Sequence, residues 1–191
     1  MHPTPFLLAT LLACAALPVA AQQKLVPSQT EIVFVSKQMG VPVEGRFRKF
    51  DAQIAFDPAR PQASRIEFTI DTGSAGIGVP DVDLELPKPL WFGVARFPQA
   101  SFQSTTIKAL GNGKFDIAGR LTIKGRAQDV TVPVSLAQSG PNTTAITTVT
   151  GSFTVKRLAF AIGEQQWTDT DLVADEVQVR LRLTLTGVGK L

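Results

Sequence analysis

Glu176-Val177-Gln178-Val179-Arg180-Leu181-Arg182-Leu183-Thr184-Leu185 sets aliphatic side chains at every second position against Gln, Arg, Arg and Thr. Alternation at period two marks a strand with one face on a core and the other in water. The same beat runs upstream. Phe115, Ile117, Gly119, Leu121 and Ile123 oppose Asp116, Ala118, Arg120 and Thr122. Val130, Val132, Val134 and Leu136 follow after the turn Lys124-Gly125-Arg126, and Gly111-Asn112-Gly113 is a hairpin signal before them. Ile32 and Phe34 alternate, as do Phe50, Ala52, Ile54 and Phe56, until Asp57-Pro58 ends the ladder. Ile66, Phe68 and Ile70 form another such face. Ala100 to Thr106 carries Phe102, and the β-branched stretch Thr147 to Val155 carries Phe153. The connections are too short for crossovers, so the strands run antiparallel. About eight one-faced strands close into a barrel or stack as a sandwich. Pro80 to Pro98 breaks the rhythm with prolines at 80, 87, 89 and 98 around Leu90-Trp91-Phe92. It reads as a loop with one or two helical turns, Pro89 suiting a helix start, and as a lid or mouth element.

The N-terminus explains what the rest lacks. Phe6 to Ala16 is an almost unbroken apolar run, followed by small residues at Val19 and Ala21. This is the pattern of a signal peptide, residues 1–21, cleaved before Gln22. The run is too short for a permanent membrane helix. Leu11-Leu12-Ala13-Cys14 offers a second reading as a lipoprotein box, but lipidation at Cys14 would leave apolar Ala15 to Ala21 on the product. Export to the periplasm as a single domain, residues 22–191, is the expectation. A domain of roughly 170 residues supports a real core without staples.

The chain has one His, one Cys and no Tyr. His2 and Cys14 both fall in the leader, so the processed chain has no thiol nucleophile, imidazole base or Cys/His metal set. No catalytic residue is assigned, and no enzyme activity is expected. Asp81-x-Asp83-x-Glu85 and Asp169-x-Asp171 lack the glycine and downstream glutamate of a calcium loop, so no metal site is expected. Nothing in their spacing marks a glycosidase pair. Gly73, Gly76 and Gly78 have no phosphate-loop lysine after them and read as a flexible turn. The net charge of +3 is scattered along strands, not clustered as in a nucleic-acid footprint.

Four segments carry a family resemblance. Gly45-Arg46-Phe47-Arg48-Lys49-Phe50 resembles the early glycine-arginine-phenylalanine segment of YceI-like proteins. Leu121-Thr122-Ile123-Lys124-Gly125-Arg126-Ala127-Gln128-Asp129-Val130-Thr131-Val132-Pro133-Val134 is similar to their central hairpin. Lys156-Arg157-Leu158-Ala159-Phe160-Ala161-Ile162-Gly163 resembles their late arginine-x-x-phenylalanine-x-isoleucine-glycine segment, and Asp175-Glu176-Val177 opens the last strand as theirs does. The resemblance spans Ser28 to Leu185 and implies an all-β, eight-stranded antiparallel, lipocalin-like barrel. It also implies an exported protein that binds a polyisoprenoid lipid non-covalently, with no other cofactor. Two departures stand out: Lys37 and Gln38 occupy a region where many members carry a histidine, and Leu90-Trp91-Phe92 replaces a more polar stretch.

The apolar strand phase then nominates Phe34, Phe50, Ile54, Phe68, Phe102, Ile117, Phe153 and Leu181 as barrel lining, with packing in a dry core as the competing reading. Eleven phenylalanines remain once Phe6 is removed with the leader (12 in all, less one), and with two tryptophans they suit flat, stiff walls. Trp91 and Phe92 are candidates for the mouth, and Trp167 reads as barrel-end packing. Arg46, Arg48 and Arg157 are candidates for an anionic head group, against ordinary solvated charge. Two functions stay open here. One is a carrier of a quinone-type or polyprenyl-phosphate lipid. The other is a non-catalytic envelope module with a filled barrel, docking to a membrane redox protein. Monomer and homodimer are equally compatible.

Overall fold

The computed structural model describes residues 23–141 and 145–191; the expected leader, with His2 and Cys14, lies outside them. Eleven strands run in chain order: β1 Lys24–Leu25, β2 Glu31–Gln38, β3 Val41–Phe47, β4 Phe50–Ala55, β5 Arg65–Asp71, β6 Ala75–Gly76, β7 Gln99–Gly111, β8 Lys114–Ile123, β9 Arg126–Ser139, β10 Ile146–Lys156 and β11 Glu176–Thr186. Every ladder between them is antiparallel, in the order β4-β5-β7-β8-β9-β10-β11-β2-β3-β6, with β1 beside the end of β11. The expected all-β, lipocalin-like fold is the one observed, with a slightly different strand count.

The sheet curls until its outer long strands, β4 and β3, are joined only by Arg48-Lys49. Side chains tie the end of β4 to the residue before β1, and the β3–β4 link to the turn before β6. The Gln23 amide donates to the Phe56 carbonyl, and its oxygen accepts the Phe56 N–H at 2.8 Å. The Ser74 hydroxyl accepts from the Arg48 and Lys49 N–H groups at 3.1 and 3.0 Å. Each edge group satisfied this way is one fewer template for pairing with another chain.

The additional long strand is β3. Val-Pro-Val-Glu-Gly hides a strand because Pro42 and Gly45 both argue against one. Both are accommodated. Pro42 lies opposite Lys37, and in this region β3 has no ladder on its other side, so a missing N–H costs nothing there. Gly45 lies opposite Phe34, and a Cβ there would stand 2.2 Å from Phe34 Cζ. The phenylalanine ring covers the glycine. Gly45→Ala is therefore expected to destabilise by about 1–3 kcal/mol through overpacking. Chemical denaturation of Gly45→Ala with and without Phe34→Leu checks it: the shorter side chain should make the alanine markedly less costly.

Residues 80–98 hold the expected helical segment. The helix, α1, is Pro80–Glu85 and opens on Pro80 rather than Pro89. Asp81 and Asp83 follow in the first turn, where acids suit the positive end of the helix dipole. Gly76, read as flexible turn, lies in β6 and pairs with Arg46 of β3.

Apolar packing falls into two clusters. Ile107, Phe115, Val132, Val149 and Leu185 belong to one, packed inside the barrel. Leu86, Phe92, Val155, Phe160 and Ile162 belong to the other, beneath the loops that follow α1 and β10.

Candidate functional site

The strand alternation leaves a void inside the barrel. A cavity of about 140 Å³ is lined by apolar side chains of β2, β4, β5 and β7 through β11, together with Phe56 just after β4. Ile54, Phe68, Phe102, Ile117, Phe153 and Leu181 all lie on its wall. Phe50 does not; it stacks on Phe68 with ring centroids 6.0 Å apart. Phe56, Phe115, Val149 and Leu185 also line the void. Their phase in the alternation already pointed inward, so the signal that found Ile117 also finds them.

A second cavity, of about 550 Å³, sits at the barrel mouth. Phe34, Ser36 and Gln38 of β2 face Asp81, Val82, Glu85 and Leu86 at α1, with Trp91 and Trp167 also on the wall. The two indoles are 5.4 Å apart and tilted by 47°. Trp167, expected as packing, thus shares the mouth with Trp91. Phe92 is buried below it, its ring edge-on to Phe47 at 5.9 Å. Phe47 in turn meets Phe34 at 5.3 Å. Phe34 pairs in register with Val179, which lines the inner cavity. The two voids therefore come within one residue pair of each other, with the Phe34-Phe47-Phe92 cluster at the junction.

The mouth loops are fastened to each other. Leu90 O accepts from the Gly163 and Glu164 N–H groups at 2.8 and 3.0 Å. The Lys124 ammonium, its side chain 8% exposed, donates to Pro89 O, Ala161 O and the Glu164 carboxylate at 2.6, 2.6 and 2.8 Å. That hydrogen bond, aided by the lysine's charge, holds the Glu164 carboxyl below its ordinary value of 4.5. A depressed carboxyl pKa supplies stability above the unfolded value and loses it as pH falls through the folded one. Lys124→Met is expected to remove that contribution. The stability gap between wild type and variant should then narrow from about pH 5 to pH 2, measured by thermal melts. Exchange of the Gly163 and Glu164 amides should speed up at neutral pH.

The three arginines have separate fates. Arg46 is exposed on the outer face of β3, 3.7 Å from Glu44, which also pairs with Arg180. The Arg48 guanidinium lies over Gly76, beside the Asp83 carboxylate. Arg157 cannot meet a head group. It is 2% exposed, and its guanidinium donates to five carbonyls: Ala174, Ile162, Gly163, Trp167 and Val173. Burial pulls its pKa down, with Asp175 opposing the shift. The sequence hid this because a buried arginine and a solvated one carry the same letter. The carboxylates also have local work: Asp83 accepts from the Ile77 and Gly78 amides at 2.6 and 3.3 Å, and Asp169 from Asp171 N–H at 2.9 Å.

The sequence pattern of the YceI-like domain matches residues 23–185. The chain belongs to the YceI-like family. The protein YceI of Salmonella arizonae is 34% identical over 139 residues, covering 71% of this chain and 72% of that one. The crystal structure of BcnA from Burkholderia cenocepacia superposes with a TM-score of 0.79 at 40% identity, over 84% of this chain and 99% of that one. A domain from Saccharophagus degradans, described as polyisoprenoid-binding and implicated in plant cell wall breakdown, superposes with a TM-score of 0.69 over 86% and 98% of the two chains. At 16% identity that likeness establishes the fold alone. In this YceI-like protein, Gln38 faces the mouth cavity, whereas Lys37 is exposed.

Proposed function

We propose that this YceI-like protein sequesters or carries a long-chain polyisoprenoid, of quinone or polyprenyl-phosphate type, inside its barrel in the periplasm, without catalysing a reaction. The carrying observation is a wholly apolar void bordered by nearly every strand. An isoprenoid tail has almost no hydrogen-bonding demand and gains about 0.8 kcal/mol for each CH₂ equivalent removed from water. Walls without polar atoms are what such a tail requires.

Volume decides how the tail must lie. A cavity near 150 Å³ lined by Leu, Ile and Phe holds about one benzene. The inner void, at about 140 Å³, is of that size. A chain of several isoprene units therefore needs the inner void and the mouth joined, with the Phe34-Phe47-Phe92 cluster parted. Phe34 rests on the open face of Gly45. Calorimetric titration with a twenty-carbon isoprenoid alcohol tests the proposal. Saturable binding with a negative heat-capacity change supports it; an absence of heat and of thermal stabilisation rejects it.

A further inference from the structure

Among the described residues, the wall of the mouth cavity carries two carboxylates and no lysine or arginine. Asp81 and Glu85 stand in a wall shared with Phe34, Trp91, Trp167, Ser36 and Gln38. Alternation along β2 turns Ser36 and Gln38 to the cavity and leaves Lys37 exposed. Between Arg65 and Lys88, and again between Arg157 and Arg180, the chain has neither lysine nor arginine. Those two runs supply Asp81, Val82, Glu85 and Trp167 to the wall.

Of the nearby cations, Lys88 neutralises Glu85, which leaves Asp81 as the unpaired carboxylate of the wall among the described residues, and the others are engaged elsewhere. Lys124 fastens the two loops, and Arg157 is consumed by carbonyls. Arg48 lies over Gly76 beside Asp83. Asp81 has no hydrogen-bond or ionic partner for its carboxylate among the described residues, and Trp91 and Trp167 bound the same space.

We infer that the mouth selects isoprenoids whose head group is uncharged and donates a hydrogen bond, an alcohol, a phenol or the reduced, hydroxyl-bearing form of a quinone, and rejects phosphate and pyrophosphate. The inference rests on the carrier reading above and narrows it. A carboxylate only accepts hydrogen bonds, so it serves an O–H and has nothing to offer a phosphate oxygen. A phosphate placed within a few ångströms of an unneutralised carboxylate in a half-solvated mouth loses about tenfold in affinity. Arginine would reverse that sign, and the arginines proposed for the task are exposed on an outer face, set against Gly76 or buried.

Matched tails isolate the head group. Geranylgeraniol and geranylgeranyl monophosphate are titrated into the processed protein at low ionic strength, following tryptophan fluorescence. The alcohol is expected to bind at least about tenfold more tightly. Asp81→Lys, an exposed substitution whose folding a melting curve verifies, should bring the ratio to unity or invert it; Asp81→Asn should fall between. Equal affinities in the wild type, or a ratio unmoved by Asp81→Lys, overturns the head-group inference while leaving the carrier reading intact. If neither ligand binds, the carrier reading itself fails and the inference falls with it.

Discussion

Replacing Arg157 with methionine is expected to cost about 3–5 kcal/mol of unfolding free energy, the scale for breaking a buried charged group's network. The side chain donates to five backbone carbonyls from residues 162–174, and Arg157 N–H adds a bond to Asp175 O at 2.9 Å. Methionine fills similar space and satisfies none of those acceptors, and unpaired buried carbonyls carry the full desolvation penalty. At about 2–4 °C per kcal/mol for a domain of this size, the melting temperature should fall by roughly 6–20 °C. Arg157→Lys should recover little, because an ammonium is a point donor and the carbonyls are arranged around a planar fork. Gly163, with φ +78°, leaves room for the guanidinium, since a Cβ there would be 2.4 Å from Arg157 Nη1. A loss under about 1 kcal/mol in chemical denaturation, well short of a buried network's worth, would contradict this role.

Filling the inner cavity should abolish ligand capture without unfolding the barrel. Val132 and Ile117 are register partners on adjacent strands, and both line the void. Val132→Phe adds aromatic volume to a space of about 140 Å³ left open among the described residues. Partial fit costs about 1–3 kcal/mol of stability, whereas loss of the tail's seat should lower affinity for the isoprenoid alcohol by more than about tenfold. That figure follows from excluding only a few CH₂ groups at about 0.8 kcal/mol each. Circular dichroism establishes the fold and titration reads the affinity. Binding retained at wild-type strength in a folded Val132→Phe would place the ligand elsewhere.

Most of the barrel was readable because one physical variable, side-chain phase, controls both strand and core. Val177 through Leu185 could only be a one-faced strand, and six of the eight residues chosen by the same phase reached the inner wall, with Phe34 at the mouth instead. Phase failed where context outweighed it. Pro42 and Gly45 looked like breakers until an unpaired edge excused one and the Phe34 ring covered the other. Phe50 kept the inward beat yet lines neither cavity and stacks behind Phe68, although Ile54 of the same strand reaches the inner wall. The mouth was harder still. Trp91 and Trp167 are far apart in the chain, and no local pattern announces that two loops will bring their indoles within 5.4 Å. Lys124 looked like the ordinary partner of a turn glycine; its task of fastening both loops exists only in three dimensions.

A carrier must hold an oily guest inside its barrel. Native mass spectrometry of the protein purified from its own host's envelope, under conditions that keep non-covalent complexes, measures this directly. The predicted result is an intact mass above that of the processed chain by a polyisoprenoid lipid, lost on collisional activation. A bare chain that also takes up no isoprenoid alcohol when one is added would contradict it.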